Sequence, residues 1–139
     1  MNKKGFTLVE VLVVLAIIAL LLLVLVPNVF IMINKNNEKS CNNIINNIES
    51  AAKIYVTNNK YDLGFTCNGS YQEITLQDLI DTGDLTTDSS GKITNPIDKK
   101  EISLDKSIVK VTYNCNTKEF NYDINMYNIN YELVDCTNN

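Results

Sequence analysis

Lys3-Lys4-Gly5-Phe6-Thr7-Leu8-Val9-Glu10, continuing into residues 11–26, is the stretch on which the reading of this 139-residue chain turns. Residues 11–26 are sixteen in a row without a charged or polar side chain, and back to Phe6 only Thr7 and Glu10 interrupt the apolar run. A helix that crosses a bilayer needs about 20 such residues. The Leu, Ala and Val content suits a helix, and Gly is absent from the run. Lys3 and Lys4 precede it, and the next cation is Lys35. Positive charge stays on the cytoplasmic side, so the N-terminus is expected inside and the rest of the chain outside.

Glu10 is the residue that does not belong in lipid. A carboxylate on a lipid-facing helix costs about 2.5–3.5 kcal/mol near the bilayer centre. One reading is a shallow side chain that snorkels to the headgroups. The other is that a second copy of the chain supplies the cation. The surrounding residues favour the second. A short basic leader, then Gly5-Phe6-Thr7-Leu8-Val9-Glu10, then an apolar helix resembles the signature of type IV prepilins and pseudopilins. A secretory signal peptide would carry a small-residue cleavage site after its apolar core. Val24-Leu25-Val26-Pro27-Asn28 offers none.

The resemblance implies a processing event. In that family a prepilin peptidase cuts between the residues matching Gly5 and Phe6 and N-methylates the new terminus, here Phe6. The new amino group is then the cation that Glu10 of a neighbouring subunit meets. Elementary electrostatics agrees: opposite charges in low dielectric attract strongly, and one left unpaired is costly, so the pair sets the register between helices. A head-to-tail contact of this kind that does not close produces a helical filament.

The remainder of the chain is acidic. It has 12 Lys and no Arg against 16 Asp and Glu; without Lys3 and Lys4 the balance is −6. Direct nucleic-acid binding is therefore not expected, since it relies on Lys and Arg that neutralise phosphates. Pro27 follows the apolar run; inside a helix it removes one backbone bond and bends or loosens the helix. Similar prolines recur here in type IV pilins, so Pro27 is expected to mark a kink rather than an end. Periodicity resumes beyond it. Cys41, Ile44, Ile45, Ile48, Ala51, Ala52, Tyr55 and Val56 share one helix face, opposite Asn42, Asn43, Asn46, Asn47, Glu49 and Lys53. A helix from Phe6 to Asn59 would be roughly 80 Å long.

The apolar stripe needs a cover, and residues 61–139 must supply it. Asn68-Gly69 reads as a hairpin turn between two short strands. A short helix is expected at Leu76-Gln77-Asp78-Leu79-Ile80, capped by Thr75 with Asp78 at capping-box spacing and Gly83 past its end. Turns follow at Asp88-Ser89-Ser90-Gly91 and Asn95-Pro96. From Ile102 the period is two, and three strands are expected: around 108–115, over 119–124, and over 129–134. The fold class is α+β: a long N-terminal helix, half transmembrane and half amphipathic, packed on a small antiparallel sheet. The prepilin resemblance implies the same fold. The expected division is a leader at 1–5, a transmembrane and assembly half-helix at 6–30, and an extracellular domain at 31–139. Within that domain lie an amphipathic helix at 31–60, a variable loop with its short helix at 61–100, and the sheet at 101–139.

Catalytic chemistry finds no foothold. The chain has no His, no nucleophile elbow, no phosphate-binding Gly-rich loop and no zinc-protease motif. No enzymatic activity and no cofactor are expected. Cys41, Cys67, Cys115 and Cys136 are spaced by 26, 48 and 21 residues, which excludes a C-x₂-C zinc site. In an exported chain four Cys read as two disulfides with three pairings open. The stripe position of Cys41 and the shared sheet end of Cys115 and Cys136 favour Cys41–Cys67 with Cys115–Cys136. Asp81, Asp84 and Asp88 are oxygen ligands of the kind calcium takes, and some secretion pseudopilins hold calcium in an outer-domain loop. Their spacing matches no EF-hand, so a solvated acidic loop is the simpler reading.

These expectations converge on a filament subunit, most similar among its superfamily to Gram-positive pilins, including the major pilin of competence pili. Its partners would be identical and related pilins, the prepilin peptidase, a pilus assembly platform protein and membrane lipid. It would sit in the cell membrane by one span before assembly and at the cell surface afterwards. The rival readings are a type II secretion pseudopilin and a binding protein anchored by a single helix.

Overall fold

A computed structural model describes residues 7–67 and 69–136. The element order is α1 (Leu8–Asn59), β1 (Tyr71–Thr75), α2 (Leu76–Asp81), β2 (Ile108–Asn114) and β3 (Glu119–Asn125). The chain divides into two compact units, Met1–Asn36 and Asn37–Asn139. α1 contributes to both.

The first unit is helix. From Thr7 to Asn36 the described side chains are all exposed, including Leu8 at 77% and Leu23 at 74%. Among the described residues α1 is the one helix long and apolar enough to cross a membrane. The helix runs on through Pro27. Proline has no N–H, so the carbonyl of Leu23 cannot receive its i+4 backbone bond there.

The second unit is built on the remaining part of α1. Its stripe is buried as the 3.6-residue period requires: Cys41, Ile48, Ala51, Ala52 and Val56 are at 2% exposure or less, while Asn42, Asn43, Asn46 and Asn47 face out. Against it lies a three-stranded antiparallel sheet in the order β1-β2-β3. Val109 pairs with Ile74 on one side and Ile124 on the other, and Val111 pairs with Tyr122. Since side chains alternate along a strand, these residues share the face turned to the core. Leu76, Leu79, Leu85, Ile93, Ile102 and Met126 close the core around them. The fold is α+β, a long helix with its amphipathic part against a small antiparallel sheet, as the period switch in the sequence predicts.

α2 starts where its capping residues place it. Asp78 N–H donates to Thr75 Oγ1 at 3.1 Å, and Thr75 N–H donates to Asp78 Oδ2 at 3.0 Å, so the box is reciprocal. Gly83, at φ +80°, then turns the chain, its N–H donating to Ile80 O at 2.9 Å.

Two strand expectations need correction. The sheet's third strand is β1, not residues 129–134. Residues 126–134 instead fold back as a tight turn, with Val134 N–H donating to Met126 O and Asn128 N–H to Glu132 O. The side chain of buried Asn128 organises it, its Oδ1 accepting from the N–H groups of Asn130 and Glu132. Tyr131 sits at φ +64°, which no extended strand allows. The strand expected before Asn68-Gly69 is missing among the described residues. Asn68 lies outside the described residues, and Phe65-Thr66-Cys67 is not a strand; β1 begins at Tyr71 and takes β2 as its partner.

Candidate functional site

The residues singled out in the sequence fall into four places. Gly5 and Phe6, the expected processing pair, lie outside the described residues. Glu10 stands in the first turn of α1. Its N–H donates to Thr7 O at 3.1 Å and Thr7 Oγ1 at 3.3 Å, so Thr7 caps the helix start. The Glu10 side chain is exposed, flanked by Val11, Val14 and Leu15 at a shallow depression. Among the described residues no cation pairs with it. The arrangement is a lone carboxylate near the beginning of an otherwise apolar, uncovered helix surface.

The four cysteines form two disulfides, paired Cys41–Cys136 and Cys67–Cys115. This replaces the expected Cys41–Cys67 and Cys115–Cys136. The reason is where the third strand lies. With β1 beside β2, Cys67 is carried to the end of β2 and meets Cys115, at a Cα separation of 5.6 Å. The C-terminal segment, freed from the sheet, returns to α1, where Cys136 meets Cys41 at 5.5 Å.

Asp81, Asp84 and Asp88 do not converge on a common centre. Asp81 accepts from Gln77 Nε2, Asp84 from Thr82 Oγ1, and Asp88 from Ser90 Oγ and the N–H groups of Ser90 and Lys92. The Ser90 hydroxyl and these two amides hold the Asp88 carboxyl below its ordinary range. Each carboxylate stabilises its own turn. No cluster of three or more metal-ligating side chains occurs among the described residues.

One feature that no sequence motif announces is a cleft of about 480 Å³ where α1 ends. Lys60 and Tyr61, from the turn that follows α1, face Phe65, and Tyr113, Lys118 and Phe120 come from the β2–β3 hairpin. Phe120 packs edge-on against Phe65 and tilted against Tyr113, both at 4.9 Å between centroids. Cys67–Cys115 holds the two walls together. Neither Lys60 nor Lys118 makes an ion pair among the described residues. The spread of these residues over 60 positions of sequence hid the cleft; only their aromatic and basic character was visible.

Comparison with known proteins bears on the N-terminal region first. Residues 1–26 match the family described as the prokaryotic N-terminal methylation motif. The chain is 42% identical over 55 residues to the ComG operon protein 3 homolog of Bacillus licheniformis, covering 40% of this chain and 57% of that one. It is 46% identical over 50 residues to competence protein ComGC of Bacillus subtilis, covering 36% and 51%. The chain thus spans little more than half the length of these curated relatives. No solved structure matches it. With the methylation motif over its first 26 residues and an α+β fold behind it, the chain is similar to type IV prepilin-like proteins.

Proposed function

We propose that this protein is a structural subunit of a type IV pilus-like filament of the competence type, without enzymatic activity. The observation that carries the reading is Glu10: one carboxylate in the first turn of an uncovered apolar helix, with no cation paired to it among the described residues. A subunit stored in the membrane and then extracted into a helical bundle gives both the apolar surface and the carboxylate a partner. Prepilin peptidase would cut between Gly5 and Phe6 and methylate Phe6. The Phe6 amino group of one subunit would then pair with Glu10 of the next. Lys3 and Lys4 would hold the precursor's N-terminus in the cytoplasm, with residues 31–139 outside. An assembly platform protein in the membrane would serve extraction, Pro27 would let the helix bend or loosen on the way, and identical and related pilins would complete the fibre. The names of the two relatives favour competence as the setting.

The test has two arms. Mass spectrometry of the native N-terminus should show N-methyl-Phe6, and Gly5→Val should leave the unprocessed chain in the membrane. Glu10→Ala should keep the processed subunit in the membrane fraction and remove it from sheared fibres, because breaking a desolvated ion pair from one side costs about 3–5 kcal/mol. An intact Met1, or wild-type fibre yield from Glu10→Ala, refutes the corresponding step.

A further inference from the structure

The apolar surface of α1 continues past Val26. After Pro27 and Asn28 come Val29, Phe30, Ile31, Met32 and Ile33, all exposed, Phe30 at 62% and Met32 at 65%. Polar side chains resume at Asn34, and Lys35 is the first cation after Lys4. Lys35 is exposed and makes no ion pair among the described residues. At the other end Glu10 is exposed and equally unpaired. Between Glu10 and Lys35 the polar side chains are Asn28 and Asn34, and each is already engaged in an interaction of its own.

A bilayer can take this helix at two depths. With the span at 6–26, Glu10 lies inside the hydrocarbon and the five large apolar side chains of Val29–Ile33 stand in water. With the span at Val11–Ile33, Glu10 and Lys35 fall at the two headgroup layers and those five side chains enter lipid. A carboxylate in hydrocarbon and a contiguous apolar patch in water are both unfavourable. Sliding the helix toward the cytoplasm by about one and a half turns removes the two together. The lengths agree. Val11 to Ile33 rises about 35 Å, a few ångströms more than the hydrocarbon core of about 30 Å, and ordinary tilt takes up the difference. Residues 11–26 alone rise about 24 Å, which falls short of it. Glu10 and Lys35 are about 38 Å apart along the helix, enough to reach both headgroup layers of a bilayer about 40–45 Å thick.

We propose that before assembly α1 lies in the bilayer from Val11 to Ile33, with the Lys35 ammonium on the lipid phosphates of the outer leaflet and the Glu10 carboxylate among the inner headgroups. The placement rests on the membrane-stored subunit of the filament reading above, and it moves the outer limit of the span from residue 30 to Ile33. Lys35 fixes the depth. Its methylenes lie along the apolar surface while its ammonium reaches the headgroups, where anionic lipid attracts it. Glu10 is hydrated while the subunit is stored and loses that water only when the helix leaves lipid for the filament core. Snorkelling and pairing with the Phe6 amino group are then successive states of one carboxylate.

The test uses the full chain in cells from which fibres have been sheared, so that the membrane-held subunit is read. The four native cysteines are bonded in pairs, so a single added cysteine reports its own surroundings through maleimide labelling. An impermeant maleimide should label Asn36→Cys, label Ile33→Cys slowly and leave Val29→Cys and Ile31→Cys untouched. A permeant one should label Val9→Cys and not Val14→Cys. Lys35→Glu, which sets like charge against the phosphates, should speed labelling of Ile33→Cys roughly tenfold, whereas Lys35→Arg should not. Labelling at Val29, Ile31 or Val14, or none at Val9 or Asn36, overturns the placement. Unchanged labelling of Ile33→Cys beside Lys35→Glu overturns the phosphate contact. Those results leave the filament reading standing. Wild-type cells that keep the labelling pattern but raise no fibres overturn that reading and leave the placement.

Discussion

Cys67 is bonded to Cys115 with 5.6 Å between Cα atoms, and this ties the loop leaving α1 to the turn that joins β2 to β3. Cys41 and Cys136, 95 residues apart in sequence, make the other tie, from the amphipathic part of α1 to the chain's last described residue. One bond closes the cleft end of the domain, and the other fastens the C-terminal segment over the core. They differ in accessibility. Cys41 and Cys136 are buried at 1% and 7%, while Cys67 is exposed.

Non-reducing peptide mapping should recover Cys41 with Cys136 and Cys67 with Cys115, and no alkylatable thiol. A peptide joining Cys41 to Cys67 would contradict the fold around β1. Mild reductant should open Cys67–Cys115 first, by exposure. Replacing either pair with Ser should cost about 2–4 kcal/mol of domain stability in denaturant titrations, because each bridge closes a long loop of the unfolded chain.

Ile48 is fully buried between α1 and the sheet, and its neighbour Asn47 is exposed. Ile48→Ala should destabilise the second unit by about 2–5 kcal/mol, through lost burial and the cavity left behind. Asn47→Ala should change stability by no more than about 0.5 kcal/mol. Unfolding followed by the tyrosine signal separates the two. Equal effects would mean that α1 does not present this face to the sheet.

Thr75 ends β1 and caps α2 in the same residue. Thr75→Ala removes the acceptor for Asp78 N–H and should cost about 1 kcal/mol. Thr75→Ser keeps the oxygen and should cost less. Faster amide exchange at Asp78, confined to the Ala variant, is the expected local signature.

Lys100 and Glu132 are 2.8 Å apart and hold the base of the 129–133 tip. The Lys100 hydrogen bond, then that from Asn128, lowers the Glu132 carboxyl below its usual range, and the Glu132 hydrogen bond raises Lys100. A lowered carboxylate contributes stability above its unfolded value and loses it as pH falls through the folded one. A raised ammonium contributes below its unfolded value and loses it as pH rises through the folded one. The tip should therefore be best held between the ordinary Glu and Lys ranges and loosen beyond either limit. The pair is exposed, so added salt should shrink the effect. Amide shifts of Asn130 and Glu132 should titrate in acid, and Glu132→Gln should abolish that titration.

Much of this architecture was legible without coordinates because it depends on local periodicity. Residues 11–26 read as a spanning helix from length and apolarity alone. The stripe at Cys41, Ile48, Ala52 and Val56 read as a packed face from its 3.6-residue spacing, and the Thr75–Asp78 box from two residues three apart. The β2–β3 hairpin was readable from alternation on both sides of Asn116-Thr117-Lys118. Residues 129–134 looked equally strand-like, since Ile129, Tyr131 and Leu133 alternate with polar neighbours. Alternation states that one face is apolar, but not whether the face is buried.

The N-terminal motif and the long helix are written locally in the sequence. Gly5, Phe6 and Glu10 are defined by distance along the chain, and so is the amphipathic face that follows. Tertiary structure alone decided which strand stands beside β2, and the rest follows from that choice. With β1 in that place, Cys67 reaches Cys115, Cys136 reaches Cys41, and the 129–133 turn is left at the surface with its apolar side chains outward. The physical reason is that pairing between segments far apart in sequence is selected by how well whole faces bury together, with Ile74 joining Val109 in the core. No local pattern records that competition.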